Sequence, residues 1–368
     1  MTAHRTAGPP RFLHRRGLLA CMAAAVLLPR GAAAADLLKT PAFHSRRAAT
    51  ALLLGAAAAG RRIVAVGERG IAILSDDGGR TWRQAAVPVS VTLTAVHFVT
   101  ESTGWAVGHD GVVLRSGDGG ERWTPVFDGT AANALVVADA RGRLEEAKAG
   151  GDADALADAE LAMEDAQAAA EFGPSRPLLG VWFADADTGF AVGSYGQIFH
   201  TRDGGGRWVS LGRCVANPNG LHYNAIAGRP DGTLLMAGEG GCVYRSRNGG
   251  ADWETLETGA PTNLYGVDVL DGALVAYGFG GRIFRSAGGE AWEPVESPTA
   301  RSLVGAVRRD GALILVDAAG ALISTRDAGR TFALLAPPGR AAVAGALAVD
   351  GGVLTVGAGG ARILPLPA

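Results

Sequence analysis

Residues 66–82 read VGERGIAILSDDGGRTW, two tight turns with a short β-rich run between them, and both halves return along the chain. The first half is a V-G-x-x-G-x-hydrophobic element. Its opening glycine is Gly67, then Gly108 (VGHDGVVLR), Gly193 (VGSYGQIFH), Gly238 (AGEGGCVYR) and Gly278 (YGFGGRIFR), with weaker copies at Asp317 (VDAAGALIS) and Gly357 (VGAGGARIL). The intervals are 41, 85, 45, 40, 39 and 40 residues, so one step hides an insertion and the others mark a repeat of about 40 residues.

The second half, SDDGGRTW from Ser75 to Trp82, returns at Ser116 to Trp123 (SGDGGERW), Thr201 to Trp208 (TRDGGGRW), Ser246 to Trp253 (SRNGGADW) and Thr325 to Phe332 (TRDAGRTF). The copy at Ser286 to Trp292 (SAGGEAW) lacks the Asp position. Five of the seven tryptophans fall at this one place, with only Trp105 and Trp182 elsewhere, which assigns the aromatic ring a structural task. Asp or Asn bonds backbone two residues on, glycine supplies positive φ, and the aromatic side chain buries a large area over the sheet. Four short strands in about 40 residues make a propeller blade, a unit that buries its faces only against neighbours on a ring. The expected fold is all-β, a seven-bladed β-propeller. Blade 2 is expected at residues 93–99, 104–109, 111–116 and 121–127. The last copy lacks a fourth strand, and residues 36–45 precede the first blade, so an N-terminal strand is expected to close the final blade and remove an exposed edge.

Composition agrees with many turns: 55 glycines in 368 residues is about twice the average share of roughly 7%, without a collagen period. A net charge of -2 gives no electrostatic reason to expect nucleic acid as a partner. At the N-terminus Arg5, Arg11, Arg15 and Arg16 precede an apolar run, residues 17–28, too short to span a bilayer, and Ala33, Ala34 and Ala35 offer a cleavage site before Asp36. Arg15-Arg16-Gly17-Leu18-Leu19 resembles a twin-arginine export signal, so residues 1–35 are read as that signal, 36–368 as the propeller and the periplasm as the destination. Cys21 sits before most of the apolar run, unlike a lipoprotein cysteine. Export leaves Cys214 and Cys242 in an oxidising compartment, and a disulfide between them is expected.

Between residues 128 and 177 the β pattern stops, and alanine and charged residues predict helix from Ala131 to Glu171. Gly150-Gly151 divides it and Asp152 caps its second part, giving an αα-hairpin between blades 2 and 3 with Leu156, Met163 and Ala170 on one face of the second helix. Residues 131–177 hold ten acidic and four basic side chains, a local charge of -6.

Strands alternate in direction outward from the axis. The link from one blade to the next therefore shares a face with the turn between second and third strands. That face gathers the variable turn residues Glu68, Arg69, His109, Asp110, Ser194, Tyr195, Glu239 and Phe279, the candidate partner-binding site. Arg115, His200, Arg245 and Arg285 hold equivalent positions on four third strands, a candidate basic patch for an acidic peptide.

The two turns at this spacing, carried by phrases such as Gly104-Trp105-Ala106-Val107-Gly108 and Thr201-Arg202-Asp203-Gly204-Gly205, resemble the photosystem II assembly and stability factor family of Asp-box (bacterial neuraminidase-type) propellers. The resemblance spans residues 49–364 apart from the insertion. It implies seven blades and a non-catalytic chaperone that holds a membrane-protein client, a photosystem II subunit in the thylakoid lumen of a phototroph, with some members in other bacteria associated with transporters of the resistance-nodulation-division type; a monomer without cofactor is expected. The acidic insertion and the degenerate turns of blades 5 to 7 depart from the photosynthetic pattern.

The rival reading is an Asp-box glycosidase such as a sialidase, which needs an arginine triad and a Tyr nucleophile assisted by Glu. Its early Arg-Ile-Pro element is missing, since Arg62-Ile63 is followed by Val64, and sialidases have six blades. The expected inner strands, 93–99, 178–183 and 264–269, contribute a single carboxylate, Asp268. His97, His109, His200 and His222 are scattered, the cysteines form no C-x-x-C pair, and no metal site is expected.

Overall fold

The structure is a computed structural model that describes residues 36–339 and 341–366; residues 1–35, expected to be an export signal, lie outside the described residues. Seven antiparallel sheets follow one another along the chain, six of four strands and the last of three, each with its strands in sequence order. The first strands are Leu53–Ala59, Leu93–Phe98, Leu178–Phe183, Tyr223–Gly228, Leu264–Leu270, Leu303–Arg309 and Val343–Val349. Each packs against the next and the seventh against the first, so these strands form the inner wall of a closed seven-bladed ring. Glycine lets this wall tighten: an added Cβ at Gly180 would lie 3.2 Å from the Ile226 nitrogen of the next blade, and one at Gly345 would lie 3.0 Å from the Leu54 carbonyl oxygen.

The repeat explains its own glycines. The backbone N–H of the first turn residue donates to the carbonyl just before the blade's inner strand, and this bond recurs in every blade: Glu68 to Leu52, His109 to Thr92, Ser194 to Pro177, Glu239 to His222, Phe279 to Asn263, Ala318 to Ser302 and Ala358 to Ala342, at 2.8 to 3.1 Å. A Cβ on the preceding glycine would collide with that same carbonyl oxygen, at 2.0 Å for Gly67 and 2.1 Å for Gly278. The glycine is needed for close approach, because its φ is extended (-171° at Gly67). Blade 6 replaces it with Asp317, fully buried, whose carboxylate accepts from the N–H of Ala319 and Ala321 and from the Thr299 hydroxyl at 2.8 to 2.9 Å.

The Asp boxes lie on the opposite face and hold neighbouring blades together. In blade 1 the Ser75 hydroxyl donates to Asp77, whose carboxylate accepts from Thr81 N–H, while Gly79 N–H donates back to Ser75. Gly79 rests on Leu354 and Ile363 of blade 7, Gly120 on Val64 and Leu74 of blade 1, Gly205 on Val126 of blade 2 and Gly329 on Val275 of blade 5. Each box thus packs on the preceding blade. Between blades 2 and 3, Trp105 stacks on Phe183 at 3.5 Å and donates to the Gly204 carbonyl at 3.0 Å.

Ring closure differs from the expectation. Residues 36–45 form no strand on blade 7 but run along blade 1: Ala42 N–H donates to Val87, Ser90 N–H to Leu37, and Gln84 bridges Ser45 and Phe43. Pro41 and the polar residues around it suit a strand poorly, whereas the Gln84 side chain satisfies their backbone. A short 3-10 turn, Ala48–Thr50, instead takes the place of the missing seventh link. An added Cβ at Gly360 would meet Ala49 oxygen at 1.9 Å, as one at Gly70 would meet Val89 oxygen at 2.1 Å and one at Gly281 Thr299 oxygen at 2.0 Å. The ring therefore closes through that turn and through side-chain packing of Leu53, Ile63 and Ile73 on Leu354 and Val356.

The insertion is two helices, α1 (Gly129–Gly150) and α2 (Ala153–Phe172). Asp128 caps α1 by accepting from Thr130 and Ala131 N–H, Gly151 ends it at φ 74°, and Asp152 caps α2 by accepting from Asp154 and Ala155 N–H. Leu156, Ala159, Met163 and Ala166 face α1; Ala170, expected on that face, is exposed.

Candidate functional site

Five turns on the link-bearing face share one geometry, with the second residue left-handed: Arg69 φ 53°, Asp110 φ 56°, Tyr195 φ 57°, Gly240 φ 67° and Gly280 φ 67°. The glycine that follows is left-handed as well, so the chain reverses sharply at these two residues and the second one's side chain stands off the face; Tyr195 is 59% exposed. Phe279, the first residue of its turn, is 58% exposed. Arg69 and His109 are also exposed. Asp110 is partly covered, and that burial raises its pKa above the usual carboxylate value. Two of the candidates have structural work: Glu68 accepts from Leu52 N–H at 2.9 Å, and Glu239 from His222 N–H at 3.0 Å, so each carboxylate ties its turn to the start of its own inner strand.

Helix α1 is docked on this face. It begins over the blade 2 turn, where a Cβ on Gly129 would touch the Asp110 carbonyl at 2.5 Å, and reaches the blade 3 to blade 4 link, where Arg143 donates to the Gly212 carbonyl at 3.0 Å and Glu146 pairs with Arg213. Beneath it, beside Tyr195, lies a cavity of about 160 Å³ lined by Asp139, Arg143, Arg176, Gln197, Asn217 and Tyr223 among others. The Arg176 guanidinium sits 4.8 Å above the Tyr195 ring, a cation–π pair. Tyr195 meets the His222 ring edge to face at 5.0 Å, and His222 Nδ1 lies 3.3 Å from Glu239. Burial pushes the Tyr223 phenol up to about 12, so it stays a hydrogen-bond donor at neutral pH. The row Arg176, Tyr195, His222, Glu239 thus offers alternating charge and aromatic surface beside a polar cleft, suited to holding an extended chain. Sequence reasoning missed Arg176, which carries no periodic signal because it lies at the end of the insertion; only its place in a link on the candidate face could have found it.

The basic positions do not form a patch. Arg245 is 7% exposed, pairs with Glu254 and donates to the Gly288 carbonyl of blade 5; Arg285 donates to the Ala328 carbonyl of blade 6 at 2.8 Å and to Glu293 at 2.9 Å. Arg115 lies 5.8 Å from the Trp105 ring centroid, against the blade 3 box. His200, too short for the same reach, is buried and stacks on Phe190 at 4.4 Å, and burial, with Arg202 nearby, lowers its pKa. Arg245 and Arg285 thus fasten their blade to the next, Arg115 stays exposed beside the neighbouring box, and His200 packs within its own blade. On the inner wall, Asp268 is held by Arg308 of blade 6, and His97 bonds the Phe183 carbonyl of blade 3 at 3.0 Å.

Cys214 and Cys242 are free thiols, so the expected disulfide is not formed. The Cys242 sulfur packs in the blade 3 to blade 4 core near Tyr223 and Tyr244, with the Gly240 carbonyl 4.0 Å away, whereas Cys214 sits in a turn bonded back to Leu211 after the last strand of blade 3.

Residues 165–334 match the family model described as Photosynthesis system II assembly factor YCF48. The match runs from within α2 into blade 6. Among solved structures, one described as YCF48 bound to D1 peptide is 18% identical, with a TM-score of 0.61 over 89% of this chain and 100% of that one. YCF48 from Cyanidioschyzon merolae is 16% identical, with a TM-score of 0.58 over 85% and 94%. The WD40 beta propeller domain of Doa1 is 11% identical, with a TM-score of 0.56 over 88% and 95%. These likenesses are of fold. No curated protein matches the chain.

Proposed function

We propose that this chain, a photosystem II assembly factor-like protein by the match of residues 165–334, is an exported, non-catalytic scaffold that grips a segment of a membrane-protein client on its link-bearing face. The client is a photosystem II subunit if the organism is a phototroph and otherwise a membrane protein such as a transporter. The relative described as bound to a D1 peptide supports a client of this kind. The observation that carries the reading is the exposed Tyr195 between Arg176 and His222, with α1 forming one wall of the cleft beside it. Aromatic and arginine side chains at the centre of a surface supply most of the affinity of protein interfaces. The box carboxylates and the third-strand Arg245 and Arg285 are meanwhile committed to turns and blade joints, which favours a binding role over a glycosidase. In this reading residues 1–35 direct the chain through the twin-arginine route to the periplasm, or to the lumen in a phototroph.

Capture from solubilised membranes with tagged protein tests the proposal. Wild type should recover one inner-membrane protein or complex; the double variant Tyr195→Ala, Phe279→Ala and deletion of residues 131–177 should each recover much less. Equal recovery by all three proteins would overturn the assignment of the face, and turnover of a fluorogenic sialoside by purified protein would overturn the scaffold reading.

A further inference from the structure

Blade 7 differs from the others in two linked ways. Its turn is one residue tighter: Gly357 pairs directly with Gly360 and Val356 with Ala361, whereas in blade 1 Val66 pairs with Ala72. A one-residue change of register turns every subsequent side chain to the other face. Arg362, opposite Thr355, therefore stands where the other six blades carry Ile73, Leu114, Phe199, Tyr244, Phe284 and Ile323, all at most 4% exposed. Arg362 is exposed and its neighbour Ile363 is 36% exposed, because among the described residues no fourth strand lies beside residues 360–365.

The geometry points to this rim slot as a second docking site, distinct from the link-bearing face, that takes an extended segment of a partner protein as the missing fourth strand. An edge strand presents unpaired N–H and C=O groups at its outer side, and strand addition satisfies them while alternate side chains give specificity. The incoming strand needs a carboxylate opposite Arg362 and an apolar residue opposite Ile363. The other blades show the pairing in kind: directly across the same two strands, Arg245 faces Glu254 and Arg285 faces Glu293. Charge excludes the two nearer occupants. The chain's own residues leading into Ala48 are Arg46 and Arg47, of the same sign as Arg362, and residues 42–45 are already bonded to blade 1. A second copy pairing edge to edge about Arg362 would set the two guanidinium groups against each other.

The probe is a fluorescein-labelled peptide Thr-Val-Val-Glu-Val-Thr, followed by anisotropy with the purified full-length protein. Wild type should bind it. Arg362→Glu, on an exposed side chain, should weaken binding roughly fivefold, and a peptide with Lys in place of Glu should recover it on that variant. Methylating alternate backbone amides of the peptide should weaken binding more than about tenfold, since those groups make the ladder. Equal binding by the methylated peptide, indifference to Arg362→Glu, or absence of binding would overturn the proposal. So would sedimentation showing the slot filled by a second copy, or a Ser45→Cys, Ile363→Cys crosslink forming within one chain. Tyr195→Ala should leave peptide binding unchanged, which separates failure of this site from failure of the link-bearing face.

Discussion

Gly278 and Gly288 lie in the same blade and differ in what a methyl group would meet. At Gly278 an added Cβ falls 2.1 Å from the Asn263 carbonyl oxygen and 2.7 Å from the Leu264 Cα, both main-chain atoms; at Gly288 nothing lies within 4 Å. A Cβ to oxygen contact is ordinary from about 3.4 Å, so Gly278→Ala demands more than 1 Å of backbone movement between the first and second strands. That movement strains the bond from Phe279 N–H to Asn263, 2.8 Å long. Overpacking costs about 1 to 3 kcal/mol and a lost backbone bond about 1 more, for a total near 2 to 4 kcal/mol. For a chain of this size that lowers Tm by roughly 3 to 6 °C. Gly288→Ala, with the same chemical change, should leave Tm unchanged or raise it slightly by restricting the unfolded chain. Thermal melts followed by circular dichroism decide the matter: equal Tm values for the two variants would refute close approach as the reason for the repeated glycine.

Removing Arg245 should destabilise by about 2 kcal/mol, less than a fully buried pair because Glu254 is partly exposed, and urea unfolding would measure it. Arg245 holds the Glu254 carboxyl below its usual range, so that stabilisation is complete above the unfolded pKa of 4.5 and is lost as pH falls through the lower folded value; Arg245→Ala should lose less stability on acidification than wild type. Burial lowers the pKa of His97 and of His200, so below about pH 6.5 the unfolded chain takes up protons first and stability falls. The double variant His97→Gln, His200→Gln should flatten the Tm profile between pH 7 and 5. Iodoacetamide on native protein, read by peptide mass spectrometry, should label Cys214 and spare Cys242, whose burial also raises its thiol pKa.

The ring was legible because its defining residues repeat: Gly67 and its copies mark the turn between second and third strands, and the Asp boxes the turn between third and fourth. The caps of the insertion, Gly151 and Asp152, were equally plain. What the sequence concealed depends on competition between local options. Residues 36–45 had a free edge to join, but Gln84 offered closer partners. The motif aligned Ile363 with Ile73, yet the two-residue hairpin at Ala358 and Gly359 slid Arg362 into that place. Arg245 and Arg285 look alike from the sequence whether they face solvent or a neighbour's carbonyl, and only the depth of the third strand between blades decides. Arg176 owes its position by Tyr195 to where the insertion rejoins the ring.

The links and the Asp boxes leave the ring on opposite sides, and this gives the molecule a freedom on one side that it lacks on the other. Extra chain added where one blade hands over to the next emerges above the same surface and leaves the joints undisturbed, as the helical hairpin does. A box on the far side touches its neighbour through a bare glycine, so there an added methyl would press on the side chains beneath it, at 3.1 Å for Gly79 on Leu354 and 2.5 Å for Gly329 on Val275. Such a body can acquire new attachments by lengthening its handovers without disturbing the joints on its underside.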